Sequence, residues 1–179
     1  MPRLLTAGFF SFVAGLSPAV AGAADYQVAE IYSKLRSQIL AAEHGNVGVK
    51  LKRPGEVFGV LMEMGYPDAA VTLVAIADGT VSIYFSNGGG IIGLGPYPGP
   101  ERAAQALITE SQKFVKQAQP AADFPLPQQS RTRFYLLTGG GVLTAEAGTD
   151  DLGRRRHALS PLFHKGQDLI TEIRKVDEQ

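Results

Sequence analysis

Cysteine is absent from the 179 residues. That excludes disulfides, thiolate zinc sites, iron–sulfur clusters, a cysteine nucleophile and a cysteine-linked lipid anchor. It does not locate the protein, because a cysteine-free chain suits any compartment. Histidine is scarce: His44, His157 and His164 are too scattered for a histidine-rich metal site. No metal and no cofactor is expected. An excess of either charge is also lacking, with 17 Lys and Arg against 17 Asp and Glu and a formal net charge of +0. No global field then draws the chain to nucleic acid or to an anionic membrane, and no nucleic-acid partner is expected. A local basic patch stays open.

The N-terminus, "MPRLLTAGFFSFVAGLSPAVAGAADY", carries Arg3 as its only charge before Asp25. An apolar run from Leu4 to Leu16 follows. Ser17, Pro18 and small residues come next, with Ala21-Gly22-Ala23 in A-x-A form. This layout predicts a cleavable export signal over residues 1–23, leaving 24–179 as one domain, periplasmic or secreted. One rival is a membrane anchor, although Pro18 and the many Ala and Gly make a poor spanning helix. The other is a start assigned too early on a cytoplasmic protein. No stable membrane span is expected in the mature form.

Residues 25–44 read as a helix, with Val28, Ile31, Leu35, Ile39 and Ala42 on one face. Asp25 is placed to cap it and Gly45 to end it. Residues 56–64 read as a strand, apolar at Phe58, Val60, Met62 and Met64. Residues 71–77 and 80–86 read as a hairpin about Asp78-Gly79. A two-residue loop would pair Ile76 with Val81, Val74 with Ile83 and Thr72 with Phe85. A second helix is expected over about 100–118, with Pro100 in its first turn. The Pro-rich stretch 119–130 reads as a connection. Residues 131–138 and 141–147 form a second hairpin about Gly139-Gly140. There Leu136 meets Leu143, Phe134 meets Ala145, Tyr135 meets Thr144 and Arg133 meets Glu146, a favourable opposite-charge pair. Residues 148–158 read as irregular. A last helix covers 159–176, capped by Ser160, with Phe163, Gly166, Leu169, Ile170 and Ile173 inward. The fold class is α+β: a mainly antiparallel sheet of about five strands, in the order α-βββ-α-ββ-α, packed by helices.

Few residues point to chemistry. "FSNGGGIIGLGPYPGP" (85–100) contains G-x-G-x-x-G at Gly88, Gly90 and Gly93, but Pro96, Pro98 and Pro100 delay the helix that a pyrophosphate would need. Glu101 in that helix's first turn would repel an anion. The glycines serve either an unusual backbone path or a loop that closes on a ligand or partner, with Asn87, Tyr97, Ile91 and Ile92 beside them. Ser160, His164 and Asp168 stand four apart, yet a capping Ser160 has its hydroxyl engaged, and no G-x-S-x-G presents a nucleophile. Arg154-Arg155-Arg156-His157 reads as the only basic run, preceded by Asp150 and Asp151. Glu63, Tyr66 and Asp68 form the one carboxylate–phenol cluster.

The segments "GVLMEMGYPDAAVTLVAIADGTVSIYFSNGGGIIG" (59–93) and "DDLGRRRHALSPLFHKGQDLI" (151–170) resemble a family of bacterial proteins without an assigned activity. The likeness spans most of residues 30–175 and implies no catalytic residues. The element order resembles secretion-chaperone-like and profilin- or roadblock-like domains at the level of fold alone. No signature of either is present.

Two functions follow as expectations. The first is a non-enzymatic, dimeric interaction module with a protein partner or a second copy, acting through the loop 86–99 or a sheet edge. The alternative is a small-molecule or anion-binding protein, its catalysis left open, with a pocket near Asn87 and Arg154–Arg156. The candidate site residues are Asn87, Gly88, Gly89, Gly90, Ile91, Ile92, Arg154, Arg155 and Arg156.

Overall fold

The computed structural model describes residues 26–178. The signal-like start and the Asp25 cap lie outside them. Two long segments rich in β-branched and aliphatic residues, Val57–Gly65 (β1) and Ala70–Ile76 (β2), are buried along their whole length. They lie inside a seven-stranded antiparallel sheet of order β4-β3-β2-β1-β6-β7-β5. The remaining strands are Val81–Phe85 (β3), Gly90–Ile91 (β4), Gln119–Pro120 (β5), Arg131–Thr138 (β6) and Gly141–Gly148 (β7). The class is α+β, with two more strands than the sequence shows. β4 and β5 are two residues each, too short to display an alternation.

Helices cover both faces. Pro98–Ser111 (α2) and Ser160–Asp177 (α4) pack on one face, over Val60, Met62, Leu73, Val81, Ile83, Phe134 and Leu136. Glu30–Leu40 (α1) and the chain after it cover the other, over Phe58, Leu61, Val74, Ile76, Tyr84, Tyr135 and Leu137. Thr149–Gly153 (α3) is a short helix within the stretch that reads as irregular. Among the described residues no helix is long and apolar enough to cross a membrane.

The β6–β7 register is as its charges demand, with Arg133 opposite Glu146 and Leu136 opposite Leu143. The β2–β3 register is one residue away from the two-residue-loop expectation. Ala75 pairs Val81, Leu73 pairs Ile83 and Val71 pairs Phe85. The loop holds three residues, Ala77, Asp78 and Gly79. Gly79 N–H bonds the Ile76 carbonyl at 3.1 Å, and Ile76 N–H bonds the Thr80 carbonyl at 2.9 Å. Gly79 sits at φ +95, a left-handed bulge position that glycine adopts without a Cβ clash. Val74 and Ile83 therefore lie on opposite faces. Phe58 is also turned over: the register shifts between Val57 and Gly59, a bulge that puts Phe58 against α1 while Val60, Met62 and Met64 face the α2–α4 layer.

Helix ends differ as well. α1 begins after Ala29 and ends at Ala41, before Gly45 can act. The turn before α4 puts Leu159, not Ser160, at the cap position. Ser160 is buried and its Oγ accepts the His157 N–H at 3.3 Å, so it braces the α3–α4 turn.

Candidate functional site

The pairing places one residue from each of six strands in a row across the α1 face: Glu146, Arg133, Glu63, Thr72, Tyr84 and Gly90. At the β7 end, the Glu146 carboxylate accepts Arg131 Nε at 2.8 Å and Arg133 Nε at 2.7 Å. In the middle, Glu63 is 0% exposed and Arg36 of α1 reaches down to it. Arg36 Nε donates to Oε1 at 2.6 Å and its terminal nitrogen to Oε2 at 2.9 Å, a bidentate pair. Thr72 Oγ1 donates to the same Oε1 at 3.1 Å and shares a hydrogen bond with the Tyr32 hydroxyl at 2.7 Å. The Arg36 guanidinium also lies 5.7 Å from the centre of the Tyr135 ring. Burial pushes the Tyr32 phenol well above its ordinary pKa, and the Glu63 charge pushes it further. Burial disfavours the Arg36 charge, but the bonds to Glu63 outweigh it and keep the guanidinium ionised.

This anchor sets the roll of α1. Tyr32 and Arg36, four apart, must face the sheet, so the inward stripe is Tyr32, Leu35, Arg36, Ile39 and Leu40. Val28 and Ile31, expected inward, are turned out to 45% and 55% exposure. Ile31 stands beside the glycine stretch. That stretch is a hairpin rather than a plain strand-to-helix turn: Phe85 N–H bonds the Gly89 carbonyl at 2.9 Å, Ile91 pairs Ile83, and Gly90 pairs Tyr84. Gly90 has φ +152, and a Cβ there would meet the Ile83 carbonyl oxygen at 2.5 Å, so only glycine lets β4 lie this close. The Ala29 N–H bonds the Ser86 carbonyl at 2.8 Å and ties the start of α1 to this hairpin.

Between α1 and β4 runs a groove of about 200 Å³, floored by Tyr84 and Gly88–Gly90 and walled by Ile31, Leu35 and Ile92. Ile92 is 65% exposed. Ile91 is half-buried against the opposite core and does not reach the groove. The Tyr84 hydroxyl bonds no described residue. Asn87 is exposed on the turn beyond.

Arg154, Arg155 and Arg156 follow β7, four strand spacings from β3, about 19 Å at the usual spacing. They do not share a pocket with Asn87. Arg154 and Arg156 are neutralised: Arg154 Nε bonds Asp150 at 2.6 Å, and Arg156 bonds both Asp150 and Asp151. The Arg154 guanidinium holds the Asp150 carboxyl below its usual range. Glu63, Tyr66 and Asp68 do not form a cluster, since Glu63 is buried under Arg36 while Tyr66 and Asp68 are exposed. Ser160 Oγ bonds backbone groups of His157 and Asp151, and Asp168 pairs with Lys165, so the four-apart spacing does not assemble a relay. Among the described residues no group of three His, Asp or Glu side chains can share a metal ion.

No family model, no curated protein and no solved structure matches the chain. The resemblance to a family without an assigned activity is consistent with that result. The analogy to secretion-chaperone-like or profilin- and roadblock-like domains gains no support from it.

Sequence reasoning singled out the glycine stretch and Ile92 but missed that the stretch forms a hairpin, the α1 wall and the Arg36–Glu63 anchor. A clue was present: Arg36 falls within the face that the Tyr32–Leu35–Ile39 spacing also defines, and Glu63 interrupts an otherwise apolar strand.

Proposed function

We propose that this protein is a non-enzymatic interaction module whose binding surface is the apolar groove between α1 and the β3–β4 hairpin, and that its occupant is a second copy of the chain. The observation that carries this reading is the placement of Ile31 and Ile92, 55% and 65% exposed, on the walls of a glycine-floored hollow. Apolar side chains scattered singly need no explanation, but a contiguous rim around a hollow does. The surface offers both a projection (Ile31, Ile92) and a recess (Gly88–Gly90). A two-fold contact requires that combination, because the same patch must complement itself. The backbone of the recess is held by the hairpin and by Ala29, so little ordering entropy opposes docking.

Analytical ultracentrifugation of the purified chain tests the reading. A concentration-dependent dimer is expected, and Ile31→Ser with Ile92→Ser should abolish it while changing the unfolding free energy of the monomer by about 1 kcal/mol or less. A wild type that stays monomeric throughout the concentration series defeats the two-copy reading.

A further inference from the structure

At the opposite end of the sheet, where β1 begins and β2 ends, lies a larger cleft of about 610 Å³. One wall is the segment Val49–Arg53, the other is the Gln105, Thr109 and Gln112 face of α2, and Val57, Phe58, Ala77 and Ile108 form the floor. Lys50, Lys52 and Arg53 are exposed on its rim, and none of their charged groups has an ion-pair or hydrogen-bond partner among the described residues. The one carboxylate on the lining is Glu56, so the rim carries three positive charges against one negative. Glu56 is already occupied: its Oε2 accepts the Lys52 backbone N–H at 2.7 Å. That bond and the Glu56 N–H to the Arg53 carbonyl, at 3.1 Å, fix the turn that presents the cations. The floor is fixed as well. Gln112 clamps Val57 with both amide atoms, accepting its N–H at 3.1 Å and donating to its carbonyl at 2.8 Å.

We propose that this cleft binds a small anion, a phosphate or carboxylate, joined to an apolar body. The cations select the charged group. The Gln105 amide and Thr109 hydroxyl supply neutral donors beside it. The apolar floor takes the body, the arrangement that ligand clefts share. The Arg154–Arg156 run offers as many cations, but Asp150 and Asp151 hold two of them. The cleft touches neither α1 nor β4, so this proposal stands or falls apart from the dimer.

Isothermal titration calorimetry with 2-naphthyl phosphate, 2-naphthol and inorganic phosphate provides the test. Binding of the ester is expected, with the alcohol and the inorganic ion each much weaker. The triple variant Lys50→Gln, Lys52→Gln, Arg53→Gln should raise the Kd for the ester by about tenfold or more. Its three positions are exposed, and an unchanged unfolding midpoint confirms that the fold is intact. Replacing Arg154, Arg155 and Arg156 with Gln should leave the Kd as it is. Glu56→Gln keeps the acceptor for Lys52 and removes the opposing charge, so it should tighten binding. The proposal is overturned if no ligand binds, if the alcohol binds as tightly as the ester, or if the Lys50–Arg53 variant binds the ester like the wild type.

Discussion

On one face of the sheet, α2 and α4 close over Val60, Met62, Leu73, Ile83, Phe134 and Leu136, an apolar set. On the other face, a single helix of 11 residues lies over a strip whose centre is Glu63, the one fully buried carboxylate among the described residues. The first face is held mainly by side-chain shape and apolar area, with Gly166 letting α4 close on Met62. The second is held by a bidentate pair that fixes the roll of α1, and that roll leaves Ile31 in solvent. The polar anchor and the exposed apolar rim are thus two consequences of one placement. The candidate binding surface lies on the face where specificity outranks burial.

Removing the anchor gives the largest expected effect. Glu63→Ala strands a guanidinium that is only 11% exposed, and unpaired buried charges of this kind cost about 3–5 kcal/mol. Urea unfolding measures the loss. Replacing both partners, Arg36→Met with Glu63→Leu, should recover most of it, because an apolar pair of similar volume avoids the desolvation penalty. A double variant as unstable as the single would mean that the ion pair contributes net stability and does more than fix orientation.

The counterpart on the closed face is Leu73→Ala. Leu73 is fully buried between Met62 and Ile83 in the register, and a cavity there costs about 2–5 kcal/mol, centred somewhat below the Glu63 effect. No second substitution on α2 or α4 should restore it except one that adds volume. That asymmetry, rescue by charge removal on one face and by volume on the other, separates the two modes of packing.

Two-sided burial also decided how much of the fold could be read from the chain. Alternation fixes register only when one face is polar. In β6–β7, Arg133 and Glu146 mark a side, and the pairing is legible. In β2–β3, Leu73, Val74, Ala75 and Ile76 are all buried, so a slip of one residue exchanges one apolar set for another and leaves the sorting equally good. The bulge at Gly79 then chose the register the two-residue loop did not allow for. The Arg36–Glu63 pair spans 27 positions and leaves no local pattern. The groove was half legible: its glycine floor is conspicuous, while its α1 wall depends on that long-range pair. Lys50, Lys52 and Arg53 escaped notice because Leu51 breaks the run, and the cleft they edge exists only once this segment stands opposite α2.

Alkaline pH probes the α1 face without a substitution. The Tyr32 phenol is raised from its ordinary 10.0 mainly by burial, with the Glu63 charge adding to it, and burial raises Tyr135 in the same direction. The folded chain therefore keeps protons that the unfolded chain releases. Their contribution is complete below pH 10 and is lost as pH rises from there toward the folded values. Stability should be level through neutral pH and fall above pH 10. Tyr32→Phe should flatten part of that fall, at the cost of about 1 kcal/mol for the hydrogen bond to Thr72. A variant whose alkaline fall matches the wild type would place the titrating groups elsewhere.

The smallest effect on stability belongs to the rim, and it bears most directly on function. Ile31 and Ile92 are 55% and 65% exposed, so changing either to Ser should move the unfolding free energy by about 0.5 kcal/mol or less. Association should respond far more strongly, because a side chain exposed in the monomer is buried only when the copies meet. A stability loss of about 2 kcal/mol would mean that these residues pack within the chain, and the exposed patch would lose its standing as a surface. Unchanged stability with lost self-association would instead tie the open face of the sheet to recognition, since the same roll of α1 that buries Arg36 presents Ile31.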